Sequence, residues 1–154
     1  MIEGKWMDRE FFLQDTLTVA KSLLGKYIVH EKEGITLAGR ITETEAYIGR
    51  IDKACHAYNG KVTPRTQILY EQGGHAYVYL IYGMYYCMNV VTEPKNEAAA
   101  VLLRGVEMVE GLEQASLLRY GKPYNELSKK QKINFSALLK DQVCHPCFFV
   151  YQDR

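Results

Sequence analysis

Two glutamates at alternate positions of one strand-like segment are the side chains best suited to acid–base chemistry. Glu43 and Glu45 follow Ile41 within residues 35–47, where odd-numbered positions share one face of a strand. The apolar first half predicts that this face meets the core, and an inward carboxylate must be paired, hydrogen-bonded or functional. In the alternative interpretation, the strand bulges or ends near Thr44 and both carboxylates stay in solvent.

Tyrosine is the second residue type that suggests chemistry. The chain has 12 Tyr against 5 Phe and 1 Trp. A tyrosine ring offers a flat surface for stacking and a polar tip that tolerates water. Tyrosines at alternate strand positions, such as Tyr77 and Tyr79, are also ordinary sheet packing. Both interpretations stay open on this evidence.

The cysteines and histidines do not form a complete metal-binding pattern. Cys144 and Cys147 form a single C-x-x-C, whereas a structural zinc site usually has four ligands. Cys55 and His56 would complete a set only if the tail folded back over them. We therefore expect reduced thiols and no metal.

Composition excludes several classes of protein. The 154 residues are 47% hydrophobic and 24% charged, which is typical of one globular domain rather than a disordered chain. The net charge of +1 gives no strongly basic footprint, although a local patch suffices for nucleic acid. Residues 72–92 are uncharged, but their tyrosines and glycines favour strands over a membrane span. Residues 1–6 do not begin a signal peptide, so we expect an intracellular protein without membrane attachment.

The elements that must position these side chains follow from periodicity and turn residues. Asp15 and Gly25 bracket an amphipathic helix, with an N-cap at one end and a glycine stop at the other. A second helix is predicted for residues 111–120. Strands are predicted for residues 26–30, 35–47, 76–81, 86–91 and 99–106. This pattern predicts a single α+β domain built on an antiparallel sheet with flanking helices.

Longer motifs bring these residues together in a recognisable order. They are GRITETEAY at 39–47, Asp52, Ala54 and His56, TPRT at 63–66, YVYLIYGM at 77–84, CMNVV at 87–91 and AVLLR at 100–104. The series, from about Phe11 to about Asn134, resembles the alkyladenine (3-methyladenine) DNA glycosylase family. The resemblance implies a compact α+β domain with a curved antiparallel sheet.

The same resemblance implies a reaction and its catalytic residues. The family removes damaged purines, such as 3-methyladenine, hypoxanthine and ethenoadenine, from duplex DNA by hydrolysing the N-glycosidic bond of a flipped nucleotide. It uses no metal or cofactor, and we expect a DNA-associated monomer, cytoplasmic in a bacterium. Glu45 matches the general base that deprotonates water, and Arg104 matches the arginine that helps to hold this water.

Five further residues match family positions that contact the flipped base or fill its place. Tyr47, His56 and Tyr79 match the aromatic walls that stack on the base. Tyr82 matches the wedge that enters the duplex where the base leaves, and Asn89 matches the asparagine that clashes with the 2-amino group of guanine. A base must leave the stack before an enzyme reaches its glycosidic bond, so the chemistry requires both kinds of residue.

Contacts to the DNA backbone require cations near the pocket. The loop beside the proposed pocket contains three cations, Lys53, Lys61 and Arg65. We expect them to contact phosphates. A second basic stretch, residues 122–132, has no such positional support, since charge runs are more often solvated faces.

The family pattern stops near Asn134. Residues 1–134 are therefore expected to form the glycosylase domain, incomplete at its C-terminal end, and residues 135–154 a tail that departs from the pattern. A truncated member of the family or a frame-shifted gene product would have this sequence. The alternative function is an inactive homologue that only binds damaged bases or DNA.

Overall fold

The fold is an antiparallel sheet flanked by short helices. The computed structural model describes residues 4–83, 85–136 and 148–153. The strands in that part of the chain are β1 (Gly4–Trp6), β2 (Tyr27–Lys32), β3 (Ile35–Tyr47), β4 (Ala76–Ile81), β5 (Tyr85–Thr92), β6 (Ala99–Glu110) and β7 (Phe148–Asp153). They form one open sheet in the order β1-β7-β2-β3-β6-β5-β4, with every pairing antiparallel. The predicted α+β architecture is confirmed.

The described helices are α1 (Arg9–Phe12), α2 (Thr16–Leu23), α3 (Leu112–Tyr120) and α4 (Lys129–Ser136). The short helix predicted between Asp15 and Gly25 is α2. Its N-cap is Asp15, whose carboxylate accepts a hydrogen bond from the Thr18 amide at 3.0 Å. Gly25, with a φ of 81°, follows its end as predicted.

The central strands separate two hydrophobic clusters. On the α2 side, Val19 and Leu23 pack with Ile28, Val101 and Leu103. The opposite side carries a second cluster of buried residues: Cys55, Ala57, Leu69, Tyr77, Val91, Ala98 and Ala100. Alternation along β6 explains the division, because odd positions 101 and 103 face α2 and position 100 faces away. The second face is therefore the one available for a site.

Two compensating bulges between β3 and β6 change which face the glutamates occupy. Ile41 pairs with Val106 and Glu43 with Gly105, so Thr42 is an extra residue in β3. Thr44 then pairs with Leu103, which makes Arg104 an extra residue in β6 and restores the register.

The prediction that Glu43 and Glu45 continue the face of Ile41 is therefore wrong. After the bulge, Thr44 and Ala46 take the α2 side: the Thr44 hydroxyl donates to the Ala20 carbonyl at 2.9 Å, and Ala46 packs on the cluster that contains Ile41. Glu45 consequently lies on the opposite face. The alternative interpretation anticipated a bulge near Thr44, and both glutamates are in part exposed.

The tail that departs from the family pattern contributes to the sheet. Strand β7 lies between β1 and β2, where Tyr151 is paired on one side with Trp6 and on the other with Tyr27.

Strand β6 is longer than predicted and runs to Glu110. Among the described helices, none has the length and apolar character to cross a bilayer.

We expect Gly105→Ala to lower the free energy of unfolding by about 1–3 kcal/mol, the usual cost of overpacking. A Cβ at this buried position would lie 2.8 Å from Thr42 Oγ1 and 2.9 Å from Glu43 Cβ, so the bulge would have to shift. Urea denaturation measures the change. Val109→Ala, at a half-exposed position of the same strand, is the control, and equal stability of the two variants would contradict the prediction.

Candidate active site

A pocket opens on the sheet face opposite α2. Four adjacent strands line it, with Tyr47 from β3, Ala100 from β6, Asn89 from β5, and Tyr77 and Tyr79 from β4. The loop after β3 and the 3₁₀ turn Gln67–Tyr70 add Ala54, Cys55, His56 and Leu69. The volume is about 130 Å³. A cavity of roughly 150 Å³ holds one benzene ring, so the volume of this pocket is close to that of one aromatic ring.

Glu45 lies beside this pocket and is held from two sides. The Tyr47 hydroxyl donates to Glu45 Oε2 at 2.8 Å, and Arg104 Nη1 donates to Oε1 at 2.5 Å. Arg104 reaches across from β6, and its Nε also contacts Glu43 Oε1 at 2.8 Å. The Glu45 side chain is 36% exposed, so water reaches a carboxylate whose orientation is set by its neighbours.

Both groups that donate to Glu45 keep their protons at neutral pH. Burial, followed by the hydrogen bond to Glu45, raises the pKa of Tyr47 to about 12. The hydrogen bond and charge of Glu45, together with the charge of Glu43, raise the pKa of the Arg104 guanidinium. An ionised carboxylate has about four lone-pair sites, so Glu45 retains sites for a water molecule.

Aromatic rings form the wall around Tyr79. The His56 ring lies at 4.7 Å from the Tyr79 ring with an interplanar angle of 64°, and the Tyr77 ring lies at 5.2 Å. The Arg65 guanidinium is 4.7 Å from the Tyr79 ring centroid, at cation–π distance. Burial, with the neighbouring Cys87 thiol, raises the pKa of Tyr79, so this wall carries no negative charge.

His56 is a neutral side chain of the pocket wall. Its Nδ1 lies 2.7 Å from the Tyr77 hydroxyl oxygen, which fixes the orientation of the ring. Burial lowers the pKa of His56, and the charges of Arg65 and Lys61 lower it further. The imidazole therefore offers a flat, uncharged surface at neutral pH.

Asn89 is buried in the pocket, with 3% of its surface exposed. Its Nδ2 donates to the Tyr77 carbonyl oxygen at 3.2 Å across the β4–β5 ladder. This hydrogen bond holds the amide against the sheet, so the group presents a fixed polar edge to any occupant.

Tyr82 lies outside the pocket, at the tip of the hairpin that joins β4 and β5. It is 81% exposed, and its φ of 54° places a non-glycine residue in the left-handed region. That conformation costs about 1–2 kcal/mol for an L-residue. A large aromatic side chain held in solvent by a strained turn is a candidate for contact with a ligand.

The loop after β3 carries cations around the pocket. Asp52 organises its start by accepting hydrogen bonds from the Ile48 and Ala54 amides at 3.2 and 2.9 Å. Lys53 and Lys61 are exposed in this loop. Of the predicted cations, Arg65 stacks on Tyr79 and Lys61 lies close enough to His56 to affect its pKa.

The described residues contain no group of three or more His, Cys, Asp or Glu side chains that could hold a metal ion. Cys55 and Cys87 are free thiols, and burial raises the pKa of Cys55. Cys144 and Cys147, the two residues of the C-x-x-C motif, lie outside the described residues.

Six of the predicted site residues lie in or beside the pocket: Tyr47, His56, Tyr79, Asn89, Glu45 and Arg104. The other four do not line it: Tyr82, Lys53, Lys61 and Arg65. The sequence did not indicate the Glu43–Arg104 contact or five lining residues: Ala54, Cys55, Leu69, Tyr77 and Ala100. Tyr77, for which sheet packing was left open, lines the pocket. Its two-residue spacing from Tyr79 places both side chains on the same face of β4. Glu43, to which no individual role was assigned, contacts Arg104. The alternation of Glu43 and Glu45 in the sequence was the signal that could have indicated a shared partner.

We expect His56 to titrate below the ordinary imidazole pKa of 6.5. Protonation then favours the unfolded chain, so stability falls as the pH falls below 6.5. Lys61→Gln should raise the midpoint because it removes a facing cation, whereas Lys21→Gln, on α2 across the sheet, should not. NMR titration of the His56 ring measures both, and a wild-type midpoint at or above 6.5 would contradict the prediction.

Comparison with known families gives a match over most of the chain. The family model described as methylpurine-DNA glycosylase matches residues 10–135. This range nearly coincides with the motif series between Phe11 and Asn134, and it contains every residue of the pocket.

Individual bacterial relatives agree with the family match. Proteins named "Putative 3-methyladenine DNA glycosylase" are 58% identical over 130 residues in Clostridium perfringens strain SM101, 56% over 131 in Clostridium tetani and 54% over 131 in Alkaliphilus oremlandii. The alignments cover 84–85% of this chain but only 63–65% of the relatives, so the chain spans less than two thirds of their length. The chain therefore belongs to the methylpurine-DNA glycosylase family.

Proposed function

We propose that the protein is a base-excision-repair glycosylase that removes alkylated or deaminated purines from duplex DNA. The substrate class is that of 3-methyladenine, hypoxanthine and ethenoadenine. One observation carries the proposal: the Glu45 carboxylate, held by Arg104 and Tyr47, lies beside a pocket with aromatic walls.

Recognition begins with extrusion of the damaged base. The pocket has room for one planar group, and Tyr47, Tyr79 and His56 supply the surfaces on which it stacks. Base–aromatic stacking is worth about 1–3 kcal/mol per base, which offsets part of the unstacking cost. A neutral His56 and protonated tyrosines present no formal charge of their own to the bound base, and the Arg65 guanidinium lies against the Tyr79 ring.

Hydrolysis follows from the position of Glu45. Its carboxylate accepts a proton from water as the water attacks C1′ of the sugar, while the C1′–N bond breaks and the purine leaves with the bonding electron pair. The charge of the carboxylate stabilises the oxocarbenium-like transition state. Arg104 and Tyr47 hold the carboxylate and leave lone pairs for that water. In this proposal water attacks the sugar directly, so no covalent intermediate with the protein forms.

Selection against guanine is assigned to Asn89. Its buried amide is held by the Tyr77 carbonyl and does not move aside easily. A 2-amino group on an inserted guanine would meet this fixed edge. Hypoxanthine and 3-methyladenine lack that group.

DNA contacts are assigned to the pocket side of the sheet. Tyr82 enters the duplex and fills the gap left by the flipped base, while Lys53, Lys61 and Arg65 contact phosphates. We further propose that residues 1–134 carry the glycosylase domain and act as a monomer on cytoplasmic DNA. Residues 135–154 carry none of the assigned site residues, although β7 within them pairs in the same sheet.

The first test is base release by the 154-residue chain under single-turnover conditions, from a duplex with one hypoxanthine. Alkaline strand cleavage is the readout. Glu45→Gln should slow release by about 10²- to 10⁴-fold, the usual contribution of a general base, while binding persists. Glu107→Gln alters an exposed cross-strand ion pair with Arg40 and is the control, with release at the wild-type rate.

Two outcomes would overturn this proposal. Release by Glu45→Gln at the wild-type rate would exclude Glu45 as the base. Damage-selective binding without release by the wild-type chain would instead identify a binding module, the alternative function.

The second test concerns Tyr82. Tyr82→Ala should weaken binding to a hypoxanthine duplex about 5- to 150-fold in Kd, because one stacking contact of about 1–3 kcal/mol is lost. Fluorescence anisotropy in a Glu45→Gln background measures Kd without turnover. Leu80→Ala removes a half-exposed apolar side chain from the same hairpin, and an equal loss in this control would contradict a wedge at Tyr82.

A further inference from the structure

Arg104 is held by two carboxylates rather than one. Its Nη1 contacts Glu45 Oε1 at 2.5 Å, and its Nε contacts Glu43 Oε1 at 2.8 Å. The Arg104 side chain is 54% exposed and that of Glu43 is 59% exposed. The guanidinium is therefore fixed in a solvent-accessible place through two different edges.

A single exposed ion pair would not hold this group in one orientation. Such a pair contributes little, because solvent screens the charges and a long side chain loses rotamer entropy when it is held. A guanidinium is planar, so contacts at Nε and Nη1 together define both the position and the plane of the group. Glu43 supplies the contact that Glu45 alone cannot.

The bulge explains why both glutamates reach the same arginine. Residues 43 and 45 share one face of β3, and Arg104 is the extra residue of β6 opposite them. Gly105 permits the close approach, since a Cβ there would lie 2.9 Å from Glu43 Cβ. The Arg40–Glu107 pair lies farther along the same two strands and provides a natural comparison, since it contains one carboxylate for one arginine.

We propose that Glu43 is a positioning residue, which holds the Arg104 guanidinium so that its Nη1 orients the Glu45 carboxylate. This inference rests on the proposed glycosylase function. Without Glu43, the Nε edge of Arg104 is open to the phosphate oxygens of a bound duplex. These oxygens then compete with Glu45 for the Arg104 guanidinium. Glu43 also places a negative charge near the DNA backbone, which is itself negatively charged. It therefore favours catalysis while it weakens DNA binding.

The experiment separates the effect of Glu43 on the rate of base release from its effect on DNA binding. We expect Glu43→Ala to slow single-turnover release of hypoxanthine by about 10- to 100-fold, the scale of a small misplacement of a catalytic group. The Kd for the same duplex should be unchanged or lower. Glu43→Gln should restore most of the rate, because its amide oxygen still accepts from Nε. Glu107→Ala, which leaves Arg40 without its carboxylate, should match the wild-type rate.

A second readout follows Arg104 directly. The Arg104 Nε–H signal in ¹⁵N NMR, assigned by its loss in Arg104→Lys, should be protected from solvent exchange in the wild type and in Glu43→Gln, and lose protection in Glu43→Ala. A wild-type rate in Glu43→Ala, or equal losses in rate and binding, would overturn the inference, as would an Nε–H signal that does not respond to Glu43. If the wild type releases no base while the signal still depends on Glu43, only the proposed function fails.

Discussion

The compensating bulges between β3 and β6 are the constraint on which the candidate site depends. A regular ladder would direct Glu45 toward α2, on the side of Ile41, where a carboxylate would lie among apolar side chains. The extra residues Thr42 and Arg104 turn Glu45 and its arginine to the opposite face and then restore the register. Bulges are common beside active sites because they redirect a side chain without interrupting a sheet.

The pocket combines a flat aromatic wall with one charged cluster at its side. Burial keeps Tyr47 and Tyr79 protonated and His56 neutral, so the stacking surfaces carry no charge. The formal charges beside it belong to Glu45, Glu43 and Arg104, which neutralise one another in part, and to Arg65, which stacks on Tyr79. This division suits a reaction in which a base is held by stacking while charge develops on the sugar.

Local patterns predicted much of the fold because they depend on neighbours in sequence. The cap at Asp15, the glycine stop at Gly25 and the strand at residues 35–47 correspond to observed elements. The family resemblance was confirmed over nearly the range that carried it. The ten assigned site residues remain proposals, although six of them meet in or beside one pocket.

The sequence by itself determined the residue types, their order and the family, because motifs and periodicity are local and additive along the chain. Only the tertiary structure decided which face Glu45 occupies, that Glu43 shares Arg104 with it, and that Tyr77 belongs to the pocket. The physical reason is that one extra residue in a strand reverses every later side chain. Whether a strand bulges depends on its partner: here Gly105 of β6 admits the close approach that a larger residue would prevent.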